Sequence, residues 1–371
     1  MHGDVIVVGG GLMGCCVAYR LAKDGADVVV LERSVPGAEA SSAAAGILGP
    51  SVESFDDALA LQLGRKSREL HAELAEELDE YFGVDVGFRR CGVVKVALNP
   101  AELEELEQQA ERLRVQGVRC QKWTSEDLVR EEPSIHPDAL GALSMAEDAQ
   151  VDPRKLLSAV ALGAEREGVS FRTGSTVRSI EVSNGQVRGV QLADQTLHGD
   201  RVVVAAGSWT TQIPGLPLEP DTIYPVRGQM ITTQTRPPLF RRVVFGAGGY
   251  VVTRPDGRVL CGSTMERVGF SRGNTFGGLA DVIDKAARIS PSLREAVVES
   301  HWSSFRPGTP DGLPLVGETQ VEGLFVASGH YRNGILLAPL TAELIADAIR
   351  GESDSREAQA LSPRRFEETR T

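Results

Sequence analysis

The chain has 371 residues, 24% of them charged and 42% hydrophobic, and a net charge of −12. That length exceeds the roughly 250 to 300 residues at which single cores stop growing, so two domains are expected. The acidic balance excludes a general nucleic-acid or anionic-membrane binder, which needs a positive surface field.

Val5-Ile-Val-Val-Gly-Gly-Gly-Leu-Met-Gly14 runs from an apolar strand through glycines into a helix expected near Cys15. Gly9 allows the tight exit, Gly11 the approach of a pyrophosphate and Gly14 close helix–strand packing. A second strand, Asp27–Leu31, ends on Glu32, eighteen residues past Gly14, where a carboxylate can accept from ribose hydroxyls. Together these features predict a dinucleotide site. The loop from Arg33 to Gly46 is small and polar, and its alanines leave room for something flat against the backbone.

Apolar residues recur at helical spacing from Asp57 to about Phe82, and an acidic helical pattern spans Ala101 to Gln116; both read as solvated helices. Cys91 and Cys120, like Cys15, Cys16 and Cys261, form no CxxC pair and no metal-ligand spacing with the six histidines, so no metal is expected. Gly92–Leu98 reads as a strand of a different sheet. The nucleotide-binding style returns from Val151 to Gly207: a helix from Pro153 to Gly168, three short strands, then Arg201-Val-Val-Val-Ala-Ala-Gly207 leading to Trp209. Tyr224 to Thr264 alternates Val, Ile, Thr and Tyr, which predicts an antiparallel sheet with one face buried.

Arg306 and Arg332 fall in turns expected to face the cofactor, and planar guanidinium groups bind carboxylates bidentately. Tyr250 begins a strand and can add a phenolic hydrogen bond to the same carboxylate. A last strand, Leu324–Ser328, leads through Gly329-His-Tyr-Arg-Asn-Gly-Ile335 into a helix ending near Arg350. Two glycine-containing strand–loop–helix units at opposite ends of the chain suit one long, extended cofactor, flavin rather than nicotinamide. After Gly351 the composition is polar and charged, and a frayed tail is expected. The first apolar run is too short for a bilayer and lacks a basic leader, so no membrane partner and a reduced, cytoplasmic setting are expected.

Ser42-Ala-Ala-Ala-Gly-Ile-Leu-Gly49, Arg306-Pro-Gly-Thr-Pro-Asp-Gly312 and Gly329 to Pro339 resemble the glycine oxidases of thiamine biosynthesis, within the wider D-amino-acid oxidase and sarcosine oxidase family of FAD enzymes. The resemblance implies an α/β (α+β) fold, a Rossmann-like FAD-binding domain of the GR2 type (1–83, 149–215 and 323–350) interleaved with an antiparallel-sheet substrate domain (84–148 and 216–322), then a tail at 351–371. It makes Arg306 the carboxylate clamp, with Tyr250 assisting and Arg332 near the substrate, and puts Met265 on an apolar pocket wall beside Ile47. It places Ala45, Gly46 and Ile47 along the flavin ring, Glu32 and Arg33 at the adenosine, and Val177 at the adenine through its backbone. Gly329, His330, Tyr331, Arg332, Asn333, Gly334 and Ile335 would surround the pyrimidine end and phosphates. Leu12, Met13, Ala40, Ser41, Ser42, Ala206, Gly207 and Trp209 complete the implied cofactor shell.

Gly248 stands where the family pattern carries a pocket histidine, and no cysteine stands in 311–317, where sarcosine oxidases attach flavin, so noncovalent FAD is expected. The implied reaction is oxidation of glycine or a small amine by hydride transfer from Cα to flavin N5, with O2 as acceptor and the imine hydrolysed or passed to thiazole-synthase machinery. Homo-oligomers are the usual state of such enzymes. His330 reads as a structural imidazole, with a general base as the alternative. A flavin dehydrogenase of sarcosine, a D-amino acid or proline is the rival activity, and a noncatalytic FAD-binding subunit a more distant one.

Overall fold

The structure is a computed structural model that describes residues 4–53 and 56–366. Val5–Val8, buried at every position, lies inside a six-stranded sheet in the order Leu315–Glu318, Leu324–Ser328, Val202–Val204, Val5–Val8, Val28–Leu31, Ser170–Arg172. All pairings are parallel except the first, which is antiparallel. Within the stretch 216–322, therefore, Leu315–Glu318 hydrogen-bonds at the edge of the nucleotide-binding sheet.

Uninterrupted valines suit strands covered on both faces. Helices Leu12–Lys23, Ala58–Phe82, Pro153–Arg166 and Gly334–Arg350 pack over Val5, Val7, Val28, Val30 and Val203. Ile6, Val8, Val29, Leu31 and Val204 face the other way, onto a three-stranded meander through Ile180, Val187 and Leu197. The first helix starts at Leu12, three residues before the expected Cys15, because Gly11 itself serves as the N-cap. Ala58–Phe82 begins where the Asp57 carboxylate accepts from the N–H groups of Leu59 and Ala60 and ends at Gly83 in the left-handed conformation.

The second sheet has eight strands, in the order Ser300–Gly308, Tyr224–Gln234, Arg258–Gly262, Gly249–Thr253, Val243–Gly246, Val93–Ala97, Gly141–Met145, Gln121–Thr124. Only Val243–Gly246 with Val93–Ala97 is parallel. The expected one-sided burial does not hold: Val243–Gly246 and Gly249–Thr253 are buried throughout. Helix Phe276–Ile289 covers Val244, Val251, Val259 and Cys261. Helix Pro100–Val115 packs on the opposite face, where Val243, Phe245, Tyr250 and Val252 meet Ala45 and Ile47 of the first unit. That second face forms one wall of the site.

The frayed tail is also corrected as far as Phe366. Arg356–Leu361 and the turn Pro363–Phe366 dock against the strand Leu315–Glu318. Leu361 and Pro363 are buried, Arg365 Nε lies 2.7 Å from Asp311 Oδ2, and Arg364 Nη2 donates to the Thr319 carbonyl at 2.7 Å. Arg364 and Arg365 are thereby bonded to the body of the protein, while residues 351–356 are exposed. Residues 367–371, the rest of that expectation, lie outside the described residues.

Candidate active site

Gly9 leaves the first strand at φ +111°, and a Cβ there would stand 2.5 Å from the Ala205 carbonyl. A Cβ on Gly14 would reach 1.9 Å from the Gly9 carbonyl, so helix and strand touch only because both positions are bare. Ser41 Oγ accepts from the Leu12 N–H at 2.9 Å. Glu32 Oε2 accepts from Gly10 N–H and Oε1 from Ser34 N–H, each at 2.8 Å. Each carboxylate oxygen keeps a further lone pair for a ligand hydroxyl.

From this turn opens a cavity of about 380 Å³. Glu32, Arg33 and Val177 line one end; Gly9, Gly11, Leu12, Met13, Ala206, Gly207 and Trp209 line the middle. Ala40, Ser41, Ala45, Gly46 and Ile47 form a flank, and Tyr250, Arg306 and His330 to Ile335 close the far end. Gly14, Ser42 and Gly329 stand behind the wall: Gly14 in the helix–strand contact, Ser42 accepting from Arg154 Nε through its carbonyl at 3.1 Å, and Gly329 at φ +80° against Thr309.

Gly248 and Met265 are not among the lining residues. Gly248 is exposed in the hairpin turn between Val243–Gly246 and Gly249–Thr253, where a Cβ would meet Lys285 Cε at 3.7 Å. Met265 is 57% exposed, but its sulfur accepts from Tyr331 Oη at 3.4 Å and Arg332 Nη1 at 3.7 Å, both on lining residues.

Arg306 lies on the strand Ser300–Gly308 rather than in a turn, because pairing with Tyr224–Gln234 carries the strand through Pro307 to Gly308. Its Nη1 donates to the Thr264 carbonyl at 3.2 Å and its Nη2 to Ser263 Oγ at 2.7 Å. Among the described residues no carboxylate pairs with it. Two glycines that sequence reading passed over make room: a Cβ on Gly228 would lie 2.2 Å from Arg306 Nη1, and one on Gly262 2.6 Å from Tyr250 Oη. Only their cross-strand positions reveal this. Arg332 is held instead by Glu53, another residue missed in sequence; Nη2 donates to Oε1 at 2.8 Å.

The His330 ring is buried, with Nε2 2.8 Å from Thr341 Oγ1. Burial pushes its pKa down to about 3, which leaves a neutral ring of little basicity. Arg33 lies over the Trp209 ring at 4.0 Å, and Glu39 pairs with both Arg33 and Arg272 at 2.8 and 2.6 Å, which fastens the loop from Phe270 to Arg272 beside the same indole.

These residues fit an extended dinucleotide that ends in a flat ring. Gly46, at φ +76°, has no space for a side chain, and its carbonyl accepts from Val151 N–H at 2.9 Å, so its backbone is fixed along the flank. Asn333 places no side-chain cap on helix Gly334–Arg350, which leaves that N-terminus open to electron-rich groups. Ser304 Oγ is buried on the wall without a hydrogen-bond partner among the described residues. Among the described residues no cluster suits a metal ion.

Residues 4–348 match the family described as FAD dependent oxidoreductase. The chain belongs to this family. Glycine oxidase from Geobacillus kaustophilus is 36% identical over 353 residues, 93% of this chain and 92% of that protein. The crystal structure of glycine oxidase from the same organism superposes with a TM-score of 0.92 at 34% identity, covering 97% of this chain and 98% of the other. The bifunctional protein ThiO/ThiG of Synechocystis sp. is 35% identical over 98% of this chain. The chain spans about half the length of such bifunctional relatives, 54% in that case. FAD is the cofactor of this family, and the lining residues described above fit it. No helix of its described residues is long and apolar enough to cross a membrane.

Proposed function

We propose that this FAD enzyme oxidises glycine, and small amines such as sarcosine or D-alanine, with O2 as acceptor. The observation that carries the reading is Arg306, a cavity-lining guanidinium that among the described residues bonds only neutral acceptors, Thr264 O and Ser263 Oγ, in the company of Tyr250. A planar fork of this kind binds a carboxylate with two parallel bonds. The Tyr250 phenol, which among the described residues has only the Met230 sulfur at 3.7 Å, donates to the same carboxylate. With that end fixed, the Cα–H bond keeps one orientation, and such positioning supplies on the order of 7–11 kcal/mol of a barrier.

When bound, FAD supplies the electron acceptor that takes the substrate's hydride and passes both electrons to O2, giving H2O2. His330, neutral and bonded to Thr341, is not the base; the amine enters as the free base and its lone pair drives imine formation. The imine is hydrolysed to glyoxylate and ammonia or handed on for thiazole formation, a role supported by the similarity to bifunctional ThiO/ThiG proteins. No cysteine stands in 311–317 for a covalent flavin link, and the five unpaired cysteines suit a reducing, cytoplasmic compartment.

Arg306→Ala tests this. The KM for glycine should rise on the order of a hundredfold, the worth of two charge-assisted bonds, with FAD still bound. An Arg306→Ala protein with the unmodified KM contradicts the assignment.

A further inference from the structure

The second guanidinium at the substrate end is already engaged. Arg332 Nη2 donates to Glu53 Oε1 at 2.8 Å, and its Nε lies 2.7 Å from Glu53 Oε2. This is the fork-to-fork arrangement in which both carboxylate oxygens are used. The partners come from distant segments, Glu53 from the short helix Pro50–Glu53 and Arg332 from the turn before Gly334–Arg350. Both line the same cavity as Arg306 and Tyr250. Glu53 is the more enclosed, its side chain 12% accessible against 34% for Arg332. Arg306, by contrast, bonds neutral acceptors only among the described residues.

Two guanidinium groups and one carboxylate leave the substrate end with a single uncompensated positive charge. One substrate carboxylate balances it. A second anionic group would enter a partly dehydrated cavity whose remaining cation is taken, and it would face the Glu53 carboxylate, where like charges repel strongly.

We infer that Glu53 is a specificity-determining residue that restricts this site to substrates with one anionic group, by withholding Arg332 from a second. The inference rests on the reading of the cavity as an amino-acid site and adds a rule to it: glycine, sarcosine and D-alanine are admitted, while N-carboxymethyl and dicarboxylic amines are refused. Glu53 thus acts through Arg332. Removing its charge while keeping its shape releases Arg332 as a second carboxylate receptor.

The test uses the FAD-loaded protein and two ligands that cannot be oxidised, acetate and malonate, titrated by the change in flavin absorbance. The wild type should bind malonate no more tightly than acetate. In Glu53→Gln the malonate-to-acetate affinity ratio should rise about ten- to a hundredfold, the worth of one or two charge-assisted bonds. Adding Arg332→Gln to that variant should return the ratio to its wild-type value, which a general loosening of the cavity would not do. Activity should follow, with kcat/KM for iminodiacetate rising relative to glycine.

Wild-type protein that already binds malonate more than about tenfold tighter than acetate overturns the inference without recourse to any variant. So does a ratio that Glu53→Gln leaves within about twofold, or a gain that survives the loss of Arg332. The probes report binding, not turnover. A protein that shows the ratio shift but ignores glycine would remove the glycine assignment and leave the role of Glu53 standing.

Discussion

Arg254 Nη2 donates to the carbonyl of Ala45 at 2.6 Å. Arg254 follows the strand Gly249–Thr253 of the eight-stranded sheet, Ala45 lies on the loop that flanks the cavity, and Arg254 Nη1 also donates to Gln150 Oε1 at 2.7 Å. The guanidinium is buried, so its loss leaves two acceptors without a partner. Arg254→Ala should cost about 3 kcal/mol or more of stability and weaken FAD binding, because the loop at Ala45 and Gly46 loses its anchor. Urea denaturation and FAD titration of the apoprotein check both effects.

Gly14→Ala places a Cβ 1.9 Å from the Gly9 carbonyl, and neither backbone can yield. Helix Leu12–Lys23 must move off the strand, which opens the turn on which the dinucleotide rests. The purified variant should contain little or no FAD and should be destabilised by about 3 kcal/mol. Gly277→Ala is the control, since nothing lies within 4 Å of a Cβ there and its φ is not in the left-handed range. Measured flavin-to-protein ratios separate the two.

Burial holds two histidines below their ordinary value of 6.5: His71, whose Nε2 meets the Ile335 carbonyl, to about 4 and His330 to about 3. The unfolded chain takes up protons that the folded state refuses. Their contribution is therefore full above pH 6.5 and lost as pH falls toward 4. Asp148 works the other way, pushed up from 3.8 to about 7 by burial despite Arg68, so its contribution is full below pH 3.8 and is lost progressively as pH rises from there to 7. Between pH 6.5 and 4 two groups oppose one, and these three together should lower stability by about 1 kcal/mol per unit of acidification. Urea midpoints at pH 6.5 and 5 test this, and His71→Asn should flatten the slope whatever its effect on stability at neutral pH.

Truncation after Glu352 removes the burial of Leu361 and the bonds of Arg364 and Arg365 to Thr319 and Asp311. A loss of about 3 kcal/mol is expected from one buried leucine and these charge-assisted bonds. A melting temperature equal to that of the full chain would contradict the docked tail.

The nucleotide-binding half could be read from sequence because local rules govern it: glycines at fixed offsets, valine runs covered on both sides, and Asp57 and Gly83 at the ends of one helix. What escaped depends on residues far apart in the chain. Gly228 and Gly262 look like ordinary strand glycines until Arg306 and Tyr250 fill the space beside them. Glu53 carries no local signal of its partner 279 positions away, and Arg364 and Arg365 of the tail look solvated until the Thr319 carbonyl and Asp311 are in place. The two-sided burial of the second sheet was hidden for the same reason, since the helices that cover it, Pro100–Val115 and Phe276–Ile289, lie outside the alternating segment.

The most direct measurement is the visible spectrum of the purified protein, followed without oxygen as glycine is added and then as air is readmitted. The flavin band should bleach with glycine and return in air with formation of H2O2. A flavin that stays oxidised under saturating glycine would contradict the proposed activity.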